Sequence, residues 1–362
     1  MHAALLGFLA GNDAVYREGL GCTVMPDGVL AAVGEAFPLP AIQPAEAGAL
    51  WPEGEKVESD QAVVKLLSDP ALTGSGMRAV VVVKNGRVVG ESYAPGFAVE
   101  TPLLGWSMAK TVNAALIGTL VRDGKMSLAD KKLFPQWQND QRGDISVANL
   151  LAMESGLVFN ENYGAVADVT RMLFLEPDMA TFAADSPLEA DPGSRFSYSS
   201  GTSVLLTKIW MEKIGAAALT YPRDALFAPL GMASAVIETD AAGTFAGSSY
   251  LYATARDWAR MGMLLARDGV WNGTRILPEG FVALMGEPNG HSSGRYSQMQ
   301  TWLPGREDAR IPADTFFMQG HDGQNVAVVR SEDLVVVRLG LTPSSSRYDP
   351  KPLVAALVKA LP

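Results

Sequence analysis

The stretch 104-LGWSMAKT-111 sets Ser107 and Lys110 three residues apart, where a loop enters a predicted helix. Residues i and i+3 share a helix face, so the hydroxyl and the amine can come within hydrogen-bonding reach. A serine hydroxyl is a poor nucleophile until a base takes its proton. A lysine can be that base only if burial or a second cation brings its pKa well below ~10.4. A helix N-terminus adds backbone N–H groups and the positive end of the dipole beside the serine. The same spacing also describes a serine cap followed by a solvated lysine, so catalysis needs partners elsewhere in the chain.

Two later stretches supply candidates. In 196-FSYSSGTS-203, Tyr198 and Ser200 sit two apart in a Gly/Pro-flanked loop before a helical pattern, so both side chains can face one cleft. A neighbouring ammonium would lower the Tyr198 phenol from ~10, and the residue could then accept the serine's proton or pass it to the leaving group. In 320-GHDGQN-325, His321 and Gly323 open a Val-rich run, and a glycine there would let backbone approach a ligand closely.

The elements that must position these residues are legible in outline. Two β-rich runs in 78-RAVVVVKNGRVVGESY-93 flank Asn85-Gly86, a strong hairpin signal. From Ser107 to about Asp123 the apolar positions follow a helical period, with Gly124 as a stop. Helical patterns follow at 146–154, 201–214 and 254–267. Strands return in 324-QNVAVVRSEDLVVVRLGL-341, and 351-KPLVAALVKAL-361 reads as a closing helix. Strands at both ends with helices between predict an α+β fold: an antiparallel sheet built from N- and C-terminal strands with flanking helices, and an inserted, mostly α-helical region. The expected division is 1–20 as an N-terminal extension, 21–104 with 255–362 as the sheet domain, and 105–254 as the helical one, with the site at the seam.

Composition narrows the function. A chain of 362 residues that is 48% hydrophobic can bury a large core. A formal net charge of −10, with no cluster of Lys and Arg, argues against nucleic acid as a partner. The one cysteine, Cys22, excludes an internal disulfide and any C-x-x-C site, and reads as a buried small residue. The apolar run 3–10 is too short to span a bilayer. It reads as the tail of a trimmed signal or anchor, or as an amphipathic docking helix. A trimmed signal would place the chain in the periplasm or cell envelope, with membrane contact limited to that anchor; a cytoplasmic location also stays open. The sequence sets no oligomeric state.

The ordered set Ser107-Met-Ala-Lys110, Tyr198-Ser-Ser200 and His321-Asp-Gly323 resembles the penicillin-recognising serine hydrolases, which include class C β-lactamases, family VIII esterases and low-molecular-weight penicillin-binding proteins. The resemblance extends to 153-MESGL-157, 228-APLGM-232 and 254-TARDWARMG-262. GWSMAK, the loop 159-FNENY-163 and GHDGQ bring it nearest to the 6-aminohexanoate-dimer (nylon-oligomer) hydrolases. The resemblance implies a β-lactamase/transpeptidase-like fold and a small-molecule ester or amide substrate, with no metal or organic cofactor. It further implies Ser107 as the acylated nucleophile, Lys110 as base or proton shuttle, and Tyr198 as the catalytic phenol. Backbone N–H groups of Ser107 and Gln324 would form the oxyanion hole. Ser200 would complete the proton network, His321 would orient the substrate's polar end, and Tyr163 would contact the scissile amide.

Two departures bear on the substrate. His321 replaces a Lys or Arg, which removes a permanent cation for a β-lactam carboxylate at neutral pH. Ser200 stands where many β-lactamases carry Asn, which removes an amide that could hold a penicillin side chain. Both favour simpler esters or amides over β-lactams. Two alternatives remain at this stage. Gly105-Trp-Ser107-Met-Ala109 nearly matches the G-x-S-x-G elbow of α/β-hydrolases, with His321 as a late triad histidine. A catalytically silent binding protein of the same fold is the other.

Overall fold

Five antiparallel strands carry the fold in a computed structural model that describes residues 2–5, 10–30, 46–305, 309–346 and 348–361. In spatial order they are Thr315–Gly320, Gln324–Val329, Leu334–Gly340, Met77–Lys84 and Arg87–Tyr93. The hairpin forms as expected: Lys84 pairs with Arg87, and Asn85 and Gly86 both take positive φ, as a two-residue turn of matching twist requires. The last strand of the chain, 334–340, pairs with 77–84, so the two ends of the chain are joined at mid-sheet. This antiparallel order is incompatible with the parallel βα alternation that an α/β-hydrolase elbow needs.

Side-chain alternation splits the sheet between two cores. Val81, Val83, Val326, Val328, Val335 and Val337 face the larger one. Val80, Val82, Ala327, Val329 and Val336 face a smaller one closed by Leu353, Val354 and Leu357 of the helix Lys351–Ala360. Burial on both faces explains why these strands read as unbroken valine runs and not as an alternating pattern. On the larger side the helix Ala255–Ala266 packs against the sheet through Gly262, where a Cβ would collide with Val335 and reach Val326 Cγ1 at 3.0 Å.

The helix Met108–Arg122 is buried from Met108 to Leu120. It lies between the sheet and the helix Ser200–Ile214. Asn113 ties the two helices: its Nδ2 donates to Ser203 O at 2.8 Å, and its Oδ1 accepts from Trp210 Nε1 at 2.8 Å. Gly124, at φ +66, ends the first helix where the sequence predicts.

The N-terminus differs from expectation. His2–Leu5, Ala10–Arg17 and Gly21–Met25 form a separate three-stranded antiparallel sheet, and residues 6–9 lie outside the described set. The docking-helix reading of 3–10 therefore gives way to strands, because 2–5 pairs with 10–13 and 13–17 pairs in turn with 21–25, which supplies backbone hydrogen bonds that an eight-residue window cannot reveal. Gly21–Met25 does not join the main sheet. Cys22 N donates to Glu238 Oε1 at 2.7 Å, and Arg17 Nη2 donates to Thr239 Oγ1 at 2.7 Å. The Cys22 side chain is half-buried, more open than the sequence reading, and burial with Glu238 nearby pushes its thiol pKa up. No helix among the described residues is long and apolar enough to cross a membrane.

Gly262→Ala should lower stability by about 1–3 kcal/mol, the range for overpacking a filled core. The reading is a lower urea midpoint at constant slope; an unchanged midpoint would show that helix and sheet can move apart freely.

Candidate active site

The backbone around Ser107 is set by close packing. Gly105 N donates to Leu251 O at 2.8 Å, and a Cβ at Gly105 would collide with the Trp258 ring. Trp106 takes φ +48, an uncommon left-handed conformation for a non-glycine residue. Ser107 then enters the helix without using its side chain as a cap. Bonds from Met108 N to Gly105 O (3.2 Å) and from Ala109 N to Trp106 O (2.9 Å) tighten the entry.

The hydroxyl is left for Lys110. Lys110 Nζ lies 3.0 Å from Ser107 Oγ, 2.9 Å from Ser200 Oγ and 3.0 Å from the carbonyl of Ser248. The lysine is 1% exposed, which removes the solvated-lysine reading of the motif. Burial lowers its pKa to about 8, against an opposing pull from the Glu161 carboxylate.

Tyr198 comes to the same place, with Lys110 Nζ 5.0 Å from its ring centroid. Its phenol moves opposite to expectation, well above 10. Burial is the main cause and the Glu161 charge adds to it; interactions with the Ser107 and Trp302 side chains oppose it but are outweighed. The expected help from an ammonium does not offset the burial: Nζ sits over the face of the ring. The ring is wedged between Tyr296, at 5.7 Å and 85°, and Trp302, at 5.2 Å and 34°.

Ser200 opens the helix 200–214, and there the structure adds a residue that the motif reading missed. Glu161 Oε1 accepts from Ser200 Oγ at 2.6 Å, and Oε2 accepts from Ser200 N at 2.7 Å. A carboxylate at a helix N-terminus is favoured by the exposed N–H groups and the dipole. The loop aims it. Asn160 Oδ1 accepts from Asn162 N, and Asn162 Oδ1 from Gly164 N, so Asn160 and Asn162 face solvent while Glu161 and Tyr163 turn inward. The available signal was this alternation within 159-FNENY-163, polar turn residues interleaved with a carboxylate and a phenol.

Tyr163, His321 and Trp106 make an aromatic wall beside the serine. Tyr163 stacks on His321 at 4.8 Å and 26°, and Trp106 meets them edge-on at 6.4 and 5.6 Å. Tyr163 also interacts with Ser200 and Ser249, yet burial raises its phenol pKa. His321 Nε2 lies 3.5 Å from Asp322 Oδ1, so the imidazole is held from its own turn and from the stack.

That turn is fixed from behind. A Cβ at Gly320 would collide with Gly105 O, so only glycine lets this strand end pass the serine turn. Asp322 and Gly323 both have positive φ, at +59 and +80. Arg338 backs Gly323: a Cβ there would lie 2.7 Å from Arg338 Nη1, which donates to Gly323 O at 3.0 Å. The Gln324 side chain is occupied too, with Nε2 donating to Gly340 O at 2.6 Å and Oε1 accepting from Gly340 N at 2.9 Å. Only its backbone remains for a substrate. Among the described residues no group of three or more His, Cys, Asp or Glu side chains is placed to hold a metal ion.

Comparison with known proteins points the same way. The family model described as Beta-lactamase matches residues 72–358. A 6-aminohexanoate-dimer hydrolase from Paenarthrobacter ureafaciens is 24% identical over 290 residues, 73% of this chain and 72% of that one. Among solved structures, a Bacillus anthracis protein provisionally named a 6-aminohexanoate-dimer hydrolase superposes with a TM-score of 0.69 at 23% identity, covering 97% of this chain and 92% of that one. A family VIII carboxylesterase superposes with a TM-score of 0.68 at 15% identity, covering 85% and 99%.

An amine that must be neutral to accept a proton makes the reactivity of Ser107 depend on pH. The rate constant for inactivation by a fluorophosphonate should rise through about pH 8 and then level. A rate that is flat between roughly pH 6 and 10 would mean that Lys110 does not take the serine's proton.

Proposed function

The chain belongs to the beta-lactamase family, and from that premise we propose that it is a serine hydrolase of small-molecule esters or amides, working through an acyl-enzyme on Ser107. The observation that carries this reading is a buried lysine amine, its pKa lowered to about 8, lying 3.0 Å from a serine hydroxyl that caps nothing.

In this mechanism neutral Lys110 takes the Ser107 proton as Oγ bonds to the substrate carbonyl carbon, and the carbonyl π pair moves to oxygen. The backbone N–H groups of Ser107 and Gln324 receive that oxyanion. Its collapse breaks the bond to the leaving group, which takes the proton that Lys110 holds, relayed through Tyr198. With its pKa held well above 10, Tyr198 works as a proton donor and relay and not as the resting base. Water then attacks the acyl carbon and gives a proton to Lys110; collapse of this second tetrahedral intermediate breaks the acyl–Oγ bond, and Ser107 Oγ takes that proton back from Lys110.

The substrate reading follows from the wall. Trp106, Tyr163 and His321 offer flat aromatic surface with no permanent cation, with the imidazole stacked on Tyr163. A neutral acyl group suits that wall better than a β-lactam carboxylate. The names of the relatives, a 6-aminohexanoate-dimer hydrolase and a family VIII carboxylesterase, support the ester and amide classes.

Ser107→Ala should abolish turnover of p-nitrophenyl esters with no loss of folding, and a phosphonate should be found by mass spectrometry on Ser107; an adduct on another serine would overturn the assignment. Lys110→Ala and Tyr198→Phe should each cost on the order of 10²–10⁴ in kcat, and the double variant little more than the worse single one. Full additivity would separate their roles. Short-chain neutral esters or amides should be hydrolysed far faster than nitrocefin, and comparable rates would refute the substrate argument while leaving the mechanism intact.

A further inference from the structure

We infer that Glu161 is a positioning residue: by fixing which way the Ser200 hydroxyl points, it leaves the Lys110 lone pair facing Ser107. The inference rests on the reading of Lys110 as the base for Ser107.

The argument is one of hydrogen-bond direction. A carboxylate only accepts, so the contact between Ser200 Oγ and Glu161 Oε1 at 2.6 Å must carry the Ser200 proton. Ser200 Oγ is thereby left with lone pairs towards Lys110 Nζ at 2.9 Å, and it accepts from the lysine. The Ser248 carbonyl at 3.0 Å also only accepts. A neutral amine has two N–H bonds and one lone pair. Ser200 and Ser248 take both N–H bonds, and the third direction, 3.0 Å from Ser107 Oγ, is the lone pair. The Ser107 proton has then one place to go, and transfer needs no rotation of the amine.

Glu161 is suited to this task because it is anchored independently. Its second oxygen accepts from Ser200 N at 2.7 Å, and its loop is pinned by the Asn160 and Asn162 turns and by Asp168 Oδ2, which accepts from Asn160 N at 2.8 Å. Both of its oxygens are engaged by Ser200, so its hold on the amine's orientation reaches the base through Ser200. The ionisable side chains facing Lys110 are Glu161 and Tyr198, while Tyr163 and Tyr296 interact electrostatically with Glu161 in turn. Glu161 alone of these raises the lysine's pKa, so removing its charge should favour the neutral amine even as the orientation is lost.

Glu161→Gln tests this directly. A glutamine has one acceptor oxygen where two are used. With that oxygen on Ser200 N, its NH₂ donates to Ser200 Oγ, the serine's proton swings towards Lys110, and the amine's lone pair is drawn off Ser107. The expected result is a fall of about 10²-fold in kcat/KM for a neutral ester, the lower end of the general acid–base range. The acidic limb of the pH profile should move to lower pH at the same time. Glu161→Asp, which keeps the charge and both acceptors, should recover part of the rate and leave the limb near its wild-type position. The titration of Lys110, followed by NMR of ¹³Cε-labelled lysine in the Ser107→Ala background, should move in the same direction in Glu161→Gln without reference to activity. A rate within about twofold of wild type would overturn the inference, because general acid–base effects exceed that. So would an unmoved lysine titration, or a Glu161→Asp variant no better than Glu161→Gln, either of which would describe a merely structural loop contact. If instead Lys110→Ala keeps wild-type phosphonate reactivity, it is the base assignment that fails.

Discussion

A lysine amine sealed from water is the constraint to which the rest of the molecule answers. Lys110 is 1% exposed, and among the described residues its hydrogen-bond partners are two serine hydroxyls and a carbonyl, with no carboxylate in direct contact. Such an environment penalises the cation and so lowers the amine's pKa. It can be built only if segments 90 and 138 residues away in sequence arrive at Nζ together. The bridges of Asn113 to Ser203 and Trp210, and of Thr111 Oγ1 to Gln300 O at 2.8 Å, hold the serine helix in the place where they meet.

The other side of the cleft is governed by backbone and not by side-chain chemistry. Gly320 passes the Gly105 carbonyl with no room for a Cβ, Gln324 spends its amide on Gly340, and Arg338 supports Gly323 from beneath. Ser107 and Lys110 come from the helical layer, and Gly320, His321 and Gln324 from the end of the sheet. Spacing between the two layers, which Gly262 helps to set from a distance, therefore enters the geometry of the site.

What could be read in the sequence was what is local. Ser107 and Lys110 are one helical turn apart, Asn85-Gly86 specifies its own turn, and Gly124 ends its helix, so short windows suffice for each. The strand Thr315–Gly320 was missed because its apolar run, TFFM, is too short to separate strand from buried helix. Glu161 was missed because its meaning depends on where the loop lies against Ser200, 39 residues away. The Tyr198 phenol was expected to shift downward and shifts upward, since the sign comes from a sum of burial and several charges in space, of which the sequence offered only one. Cys22 was misjudged for a related reason: its partner, Glu238, lies more than 200 residues along the chain.

The pairing of 334–340 with 77–84 has a consequence for the order in which the protein comes into being. A ribosome delivers the N-terminal end first, so Ser107, Lys110, Glu161 and Ser200 all leave the tunnel well before Gly320 and Gln324. The hairpin 77–93 must wait as an open edge, its valines uncovered, until the final strands add to it. The long separation of these partners makes sheet closure a late and slow event. The same event brings Gly320, His321 and Gln324 to Ser107, so the nascent chain carries Ser107 and Lys110 in an unfinished cleft that closes only when these strands dock.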